Sequence, residues 1–226
     1  MIGRSEKKRI ITIAALLYLL LLLDSGFYFA AKGGIFLYAQ AILGVMLALI
    51  CKVHIPKNML LIAYSLIFLV LIGTTVSGDS IRNLTVSTIE LITGFLIACL
   101  FTSERSRDVE KALRIIMMAI CICSLFAFLL TAVRFNAVRY LPVFESSNNT
   151  RCYFWGLSFT YVPGKYYIAR NLGIFWEPGA FQTYIILALT HELFAERSWL
   201  PRTVYTVTLL TTLSTTGIVC LLLIWI

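Results

Sequence analysis

The sequence predicts an all-α protein embedded in a membrane, a polytopic bundle of about seven spans with one long outer loop between the fifth and the sixth. Three observations carry this. Hydrophobic residues make up 60% of the chain and charged ones 13%, with a mean hydropathy of +0.89, a composition foreign to soluble domains. The apolar residues come in runs close to the ~20 that a helix needs to cross the hydrocarbon core. The basic residues fall between those runs, where they set topology. The net charge of +8 therefore reads as membrane orientation and not as affinity for nucleic acid. Residues 1–226 read as a single integral membrane domain, with an outer loop over 134–177.

Taken in order, Arg4 to Arg9 followed by a leucine-rich run has the outline of a signal peptide. It lacks a small-x-small cleavage site and flows into further spans, which reads as a retained signal anchor. The first span covers about Ile10 to Ala31, interrupted near its outer end by Asp24-Ser25-Gly26. Gly33–Cys51, Met59–Val76, Leu84–Phe101 and Ile115–Val133 are the next four. Arg134–Trp176 then carries charges, aromatics and turn residues. The sixth span starts at Pro178 and runs to about Ala195, and the seventh begins near Thr203 and is still apolar at Ile226. Five of the six cysteines lie in or at the ends of spans, and Cys152 alone sits in the long loop. Without a CxxC or a Cys/His cluster, neither a disulfide framework nor a metal site is expected.

Orientation follows from the loops. With the N-terminus in the cytoplasm, twelve of the nineteen Lys and Arg residues fall in inner segments, and only Lys32 and Arg82 in short outer ones. That bias satisfies the positive-inside rule and turns the long loop outward. The loop holds Arg134, Arg139, Arg151, Lys165 and Arg170 against Glu145 and Glu177. A translocated segment gains nothing from the topological bias, so this excess points to an anionic partner such as a lipid diphosphate or a phospholipid headgroup. Arginine grips phosphate oxygens with two bonds at once. For Arg134 and Arg139, just past a helix end, general attraction to anionic lipid is the better account; for Arg170 a specific role is favoured.

Arg170 opens the densest stretch of the chain, Arg170-Asn171-Leu172-Gly173-Ile174-Phe175-Trp176-Glu177-Pro178-Gly179-Ala180-Phe181-Gln182. Glu177-Pro178 is a helix start, because proline at the first helical position loses an N–H that would be unpaired anyway. An acid there suits the positive end of the helix dipole, and the free N–H groups with Arg170 upstream favour an anionic group. The plainer account is a re-entrant loop with aromatics anchored at the interface. Elsewhere, Glu90 inside the fourth span needs a polar cavity or a cation, and either function or structural pairing accounts for it. Asp24 reads as a helix-end residue. His191 lies ~20 Å along the sixth helix from Pro178, and His54 is in an inner loop, so neither serves an outer site. The seventh span is rich in hydroxyls from Thr206 to Thr216, which suit close helix packing. Ser214-Thr215-Thr216-Gly217 is also placed to line a cavity near mid-membrane.

Arg170-x-x-Gly173-x-Phe175-x-Glu177-Pro178-x-x-Phe181 resembles the signature of the bacterial O-antigen polymerase and ligase superfamily, especially its capsular and exopolysaccharide polymerases. The resemblance covers roughly Arg170–Gly217. It implies a glycosyltransferase without metal or cofactor, using an undecaprenyl-diphosphate-linked oligosaccharide as donor on the outer face of the bacterial inner membrane. Arg170 matches a family position that grips the leaving diphosphate, and Glu177 is the candidate for activating the acceptor hydroxyl. Arg151, Lys165, Trp176, Gln182 and Glu90 are the expected substrate contacts, and polysaccharide export or chain-length proteins the expected partners beside membrane lipid. Family members have more spans and a second large outer loop, so the chain is expected to be an N-terminal fragment. The ligases use an outer-loop histidine that is not found here. O-antigen ligase is the alternative within the family; a flippase for lipid-linked sugars and a non-catalytic membrane subunit are the alternatives outside it.

Overall fold

The computed structural model describes residues 3–24, 35–78, 80–133, 136–145, 151–162, 170–175, 177–194 and 199–225. The described residues are all-α in class, 77% of them helical, and the chain divides into two compact units, Met1–Leu23 with Lys32–Leu113 and Asp24–Ala31 with Arg114–Ile226.

The first unit holds α1 (Arg4–Leu23), α2 (Ile35–Ile50), α3 (Lys57–Ser77), α4 (Ile81–Leu100) and the first turns of α5 (Ser106–Ala132). α1 buries Ile10, Ile13, Leu16, Leu17, Leu20 and Leu21, the spacing of a single helical face. That face packs with Leu47, Cys51, Leu100, Val109 and Ala112. α2 and α4 approach closely where Gly44 meets Thr93; a Cβ on Gly44 would stand 3.3 Å from the threonine methyl. α3 starts after Pro56 and stops at Gly78, whose φ of 68° is left-handed and whose N–H bonds the Thr74 carbonyl, a C-cap that glycine adopts without a Cβ penalty.

The second unit begins at Arg114, within α5. It continues through a 3-10 turn (Asn136–Tyr140), strands β1 (Val143–Glu145), β2 (Arg151–Phe154) and β3 (Phe159–Tyr161), then α6 (Pro178–Phe194), α7 (Trp199–Thr211) and α8 (Thr215–Trp225). The strands form an antiparallel meander with Phe144 opposite Cys152 and Phe154 opposite Phe159. Phe144, Phe154 and Phe159 make an aromatic cluster on it, with ring centroids 4.9–6.3 Å apart. This sheet lies inside the segment read from sequence as an outer loop.

The expectation of about seven spans is overturned. Among the described residues two helices are long and apolar enough to cross a membrane, α3 and α5. They correspond to the expected third and fifth spans, and they point to membrane association. The others fall short for separate reasons. α1 carries Arg4, Glu6, Lys7, Lys8 and Arg9 in its own first turns. α2 has 16 residues and α6 has 17. The described apolar part of α4 runs Leu84–Leu100. The expected seventh span is broken between Thr211 and Thr215 into helices of 13 and 11 residues.

α6 carries one costly residue inward. Glu192 is 1% exposed and its Oε1 accepts from Arg114 Nε at 2.7 Å, while Arg114 keeps 35% exposure. Arg202 Nη2 donates to the Glu192 carbonyl at 3.1 Å, and the Tyr205 hydroxyl reaches the Arg114 carbonyl at 3.5 Å. The cluster ties α5, α6 and α7 together. Removing one partner of such a pair strands the other, so Glu192→Ala is expected to cost about 3 kcal/mol, the lower end of the usual range because Arg114 remains partly wet. The Arg114→Met/Glu192→Leu double variant is expected to regain most of that loss. Chemical unfolding of the detergent-solubilised variants measures both.

Candidate functional site

The stretch from Arg170 to Gln182 folds as a buried turn followed by a helix, all within the second unit. α6 starts at Pro178, as the Glu177-Pro178 pair requires, and the Glu177 carbonyl accepts the first helical bond from Phe181 N–H at 3.4 Å. Asn171, Leu172, Gly173, Ile174 and Phe175 are buried. Gly173 has φ +56°, and a Cβ there would lie 2.7 Å from carbons of the Phe181 ring. Both a left-handed backbone and a ring against Cα demand glycine. Phe175 stacks on Phe181 at 5.9 Å and on Tyr184 at 4.7 Å, so Phe175 and Phe181 are core side chains. The Gly173 carbonyl accepts from Phe159 N–H, which joins the turn to β3.

Asn171 is the residue that sequence reasoning passed over. Its Nδ2 donates to Ser124 Oγ on α5 at 3.1 Å and to Thr211 Oγ1 on α7 at 3.0 Å. Its Oδ1 accepts from Gly173 N–H at 3.1 Å, an Asx turn. Its own N–H donates to the Thr211 carbonyl at 3.0 Å. The signal available in the sequence was Asn171 two residues before Gly173, the register of such a turn.

Arg170 sits at the break between α7 and α8. Nε donates to the Thr212 carbonyl and Nη2 to the Leu213 carbonyl, each at 3.0 Å. A cation at a helix C-terminus also meets the negative end of its dipole. Among the described residues Nη1 has no hydrogen-bond partner. Leu213 takes φ +50°, a left-handed conformation that is costly for a residue with a Cβ. α8 starts two residues later, so its first N–H groups open at the same break.

The other sequence-derived residues are dispersed. Glu177 is half-buried at the start of α6, with Oε1 3.5 Å from where a Cβ on Gly179 would stand. Gln182 is buried one helical turn further on; its Oε1 lacks a hydrogen-bond partner and lies 2.6 Å from the position a Cβ on Gly217 of α8 would occupy. A larger residue at 217 would have to displace the end of the Gln182 side chain. Arg151 faces Glu145 across β1 and β2 at 3.9 Å, both well exposed, a contact worth little in water. Glu90 is exposed on α4, in the first unit. Lys165 and Trp176 lie outside the described residues. Among the described residues no three His, Cys, Asp or Glu side chains gather as a metal site requires.

Comparison with known proteins returns no similarity: no family model, no curated protein and no solved structure matches the chain.

Two expectations follow. Gly173→Ala forces a Cβ into a left-handed turn and against Phe181, and a loss of roughly 2–5 kcal/mol is expected, measured by chemical unfolding. Burial pushes the Cys152 thiol up to about 12. Since the thiolate is the nucleophile, iodoacetamide at pH 8 is expected to spare Cys152 until the protein unfolds. The unfolded chain loses this proton near pH ~8.5 and the folded one holds it to about 12, so the Cys152 contribution to stability is full below the first value and declines as pH rises between the two.

Proposed function

We propose that this chain is part of a polysaccharide polymerase of the bacterial inner membrane, a metal-independent glycosyltransferase that joins undecaprenyl-diphosphate-linked repeat units on the outer face. In this reading the protein crosses the membrane more than once, its N-terminus is cytoplasmic, and the Arg170–Gln182 stretch faces the periplasm or exterior. The observation that carries it is the setting of Arg170. The guanidinium is held over a helix break by two carbonyls, its Nη1 has no partner among the described residues, and the N-terminus of α8 opens beside it. A departing diphosphate gains charge, and a fixed cation with helix N–H groups stabilises that charge without having to reorganise. Glu177, half-buried at the start of α6, is the group assigned to the acceptor hydroxyl.

A specific observation favours a second reading. Two of the Arg170 donors are spent on capping α7, which is what a non-catalytic membrane subunit would also require of it. Arg170→Lys, Arg170→Ala and Glu177→Gln separate the two, scored for polymer and for protein abundance. Loss of polymer by about 100-fold or more at normal abundance, with single repeat units accumulating on the outer face, supports the polymerase. Repeat units stranded on the inner face point to a flippase. Polymer unchanged in Arg170→Ala and Glu177→Gln at normal abundance refutes a catalytic role for both residues.

A further inference from the structure

Three segments of the first unit meet at one end. Ile10 of α1, Cys51 just after α2 and Val109 of α5 share a buried cluster. Around it Arg9 Nη1 lies 3.3 Å from Asp108 and Lys111 Nζ 3.4 Å from Glu6. Arg105 Nη1 donates to the Ile50 carbonyl at 2.7 Å, capping α2. These contacts use Arg9, Lys111 and Arg105 internally. They leave Arg4, Lys7, Lys8, Lys52, Lys57 and Arg107 exposed, with no partner among the described residues.

The helical register makes this a consequence of sequence. On α1, Glu6, Arg9, Ile10 and Ile13 share the face turned to α5, while Arg4, Lys7 and Lys8 stand at i, i+3 and i+4 on another. Lys52 and Lys57 flank the short connection from α2 to α3, and Arg107 lies at the start of α5. Glu104 is the one exposed acid without a partner among the described residues of these segments. The same end is where α3 begins. After Lys57 that helix carries no charged residue to Ser77, and it leaves Leu61, Tyr64, Phe68 and Leu69 exposed. Uncovered apolar surface of that extent suits a hydrocarbon medium, and Lys57 opens this helix with Lys52 five residues before it, so the basic end runs into the bare flank of α3.

We propose that this basic end binds the headgroups of anionic phospholipids, and that the lipid is the source of the phosphate. The continuity of Lys52 and Lys57 with the bare flank of α3 decides for a lipid over a free phosphate ion: headgroup and acyl chain have complementary surfaces side by side. The inference rests on the first unit alone and is independent of the activity assigned to Arg170. Each cation near an anionic membrane surface contributes on the order of fivefold to binding, and the attraction weakens as salt rises.

The test uses the full chain in detergent, titrated with phosphatidylglycerol, phosphatidylcholine or inorganic phosphate, with retained lipid counted by native mass spectrometry and the thermal midpoint recorded. Selective retention of phosphatidylglycerol, with a raised midpoint, is expected for the native chain. The Lys7→Gln/Lys8→Gln/Lys52→Gln/Lys57→Gln variant is expected to lose that selectivity by at least tenfold. Lys7→Gln/Lys8→Gln alone, confined to one exposed turn, is expected to lose part of it. Equal retention of the two lipids, undiminished selectivity in the quadruple variant, or the same midpoint shift with inorganic phosphate overturns the proposal.

Discussion

An interrupted helix leaves carbonyls without partners, and the second unit is arranged around satisfying them. Thr208 O accepts from Thr211 Oγ1, Leu209 O from Thr212 N–H and Oγ1, and Leu210 O from Leu213 N–H. Those are local bonds from the turn itself. The last three come from far along the chain: Thr211 O from Asn171 N–H, Thr212 O from Arg170 Nε and Leu213 O from Arg170 Nη2. Where little water reaches, each carbonyl left open costs as much as a lost hydrogen bond or more. Arg170 and Asn171 thus satisfy the carbonyls that the break between α7 and α8 leaves open. They in turn are fixed by Gly173, whose left-handed turn seats Phe181 against its backbone.

That dependence runs on to the helices around it. Asn171 reaches Ser124 of α5 as well as α7, so one buried amide holds two helices and the turn in a common register. α6 follows directly and presents Gln182 to the Gly217 face of α8 and Glu192 to Arg114. A helix with a buried amide and a buried carboxylate is committed to protein contacts. α3 is the opposite case: Ala63 is its one buried residue. Hydropathy is high in both, but only the second surface is left for lipid.

This difference explains what was legible in the sequence. Local signals survived: Glu177-Pro178 as a helix start and the charge-free run from Met59 to Val76. The break at Thr212–Ser214 did not, because no proline or glycine marks it. Its cause lies about forty residues earlier, in bonds separated by 42 and 43 positions. Counting apolar residues therefore joined two helices into one span. The small sheet was equally hidden, its strands three and four residues long, too short for an alternation to stand out. Of the candidate site, the glycine and the helix start were readable, but the capping work of Arg170 was not.

Capping and charge stabilisation by Arg170 are compatible, and the chemistry of the side chain shows why it is arginine. Its planar fork sends Nε and Nη2 to successive carbonyls. A lysine would bring the same charge as a mobile ammonium, unable to hold both carbonyls in one plane. A guanidinium fixed in this way has already given up its rotamer freedom to the fold. An anion arriving at Nη1 would meet a cation that needs no further ordering, next to helix N–H groups that are also fixed. The neighbouring negative end of α7 works against this, since the carbonyls that hold Arg170 also offset part of its charge. The net attraction therefore depends on how much of the guanidinium the break leaves uncovered, and among the described residues Nη1 is the nitrogen without a partner.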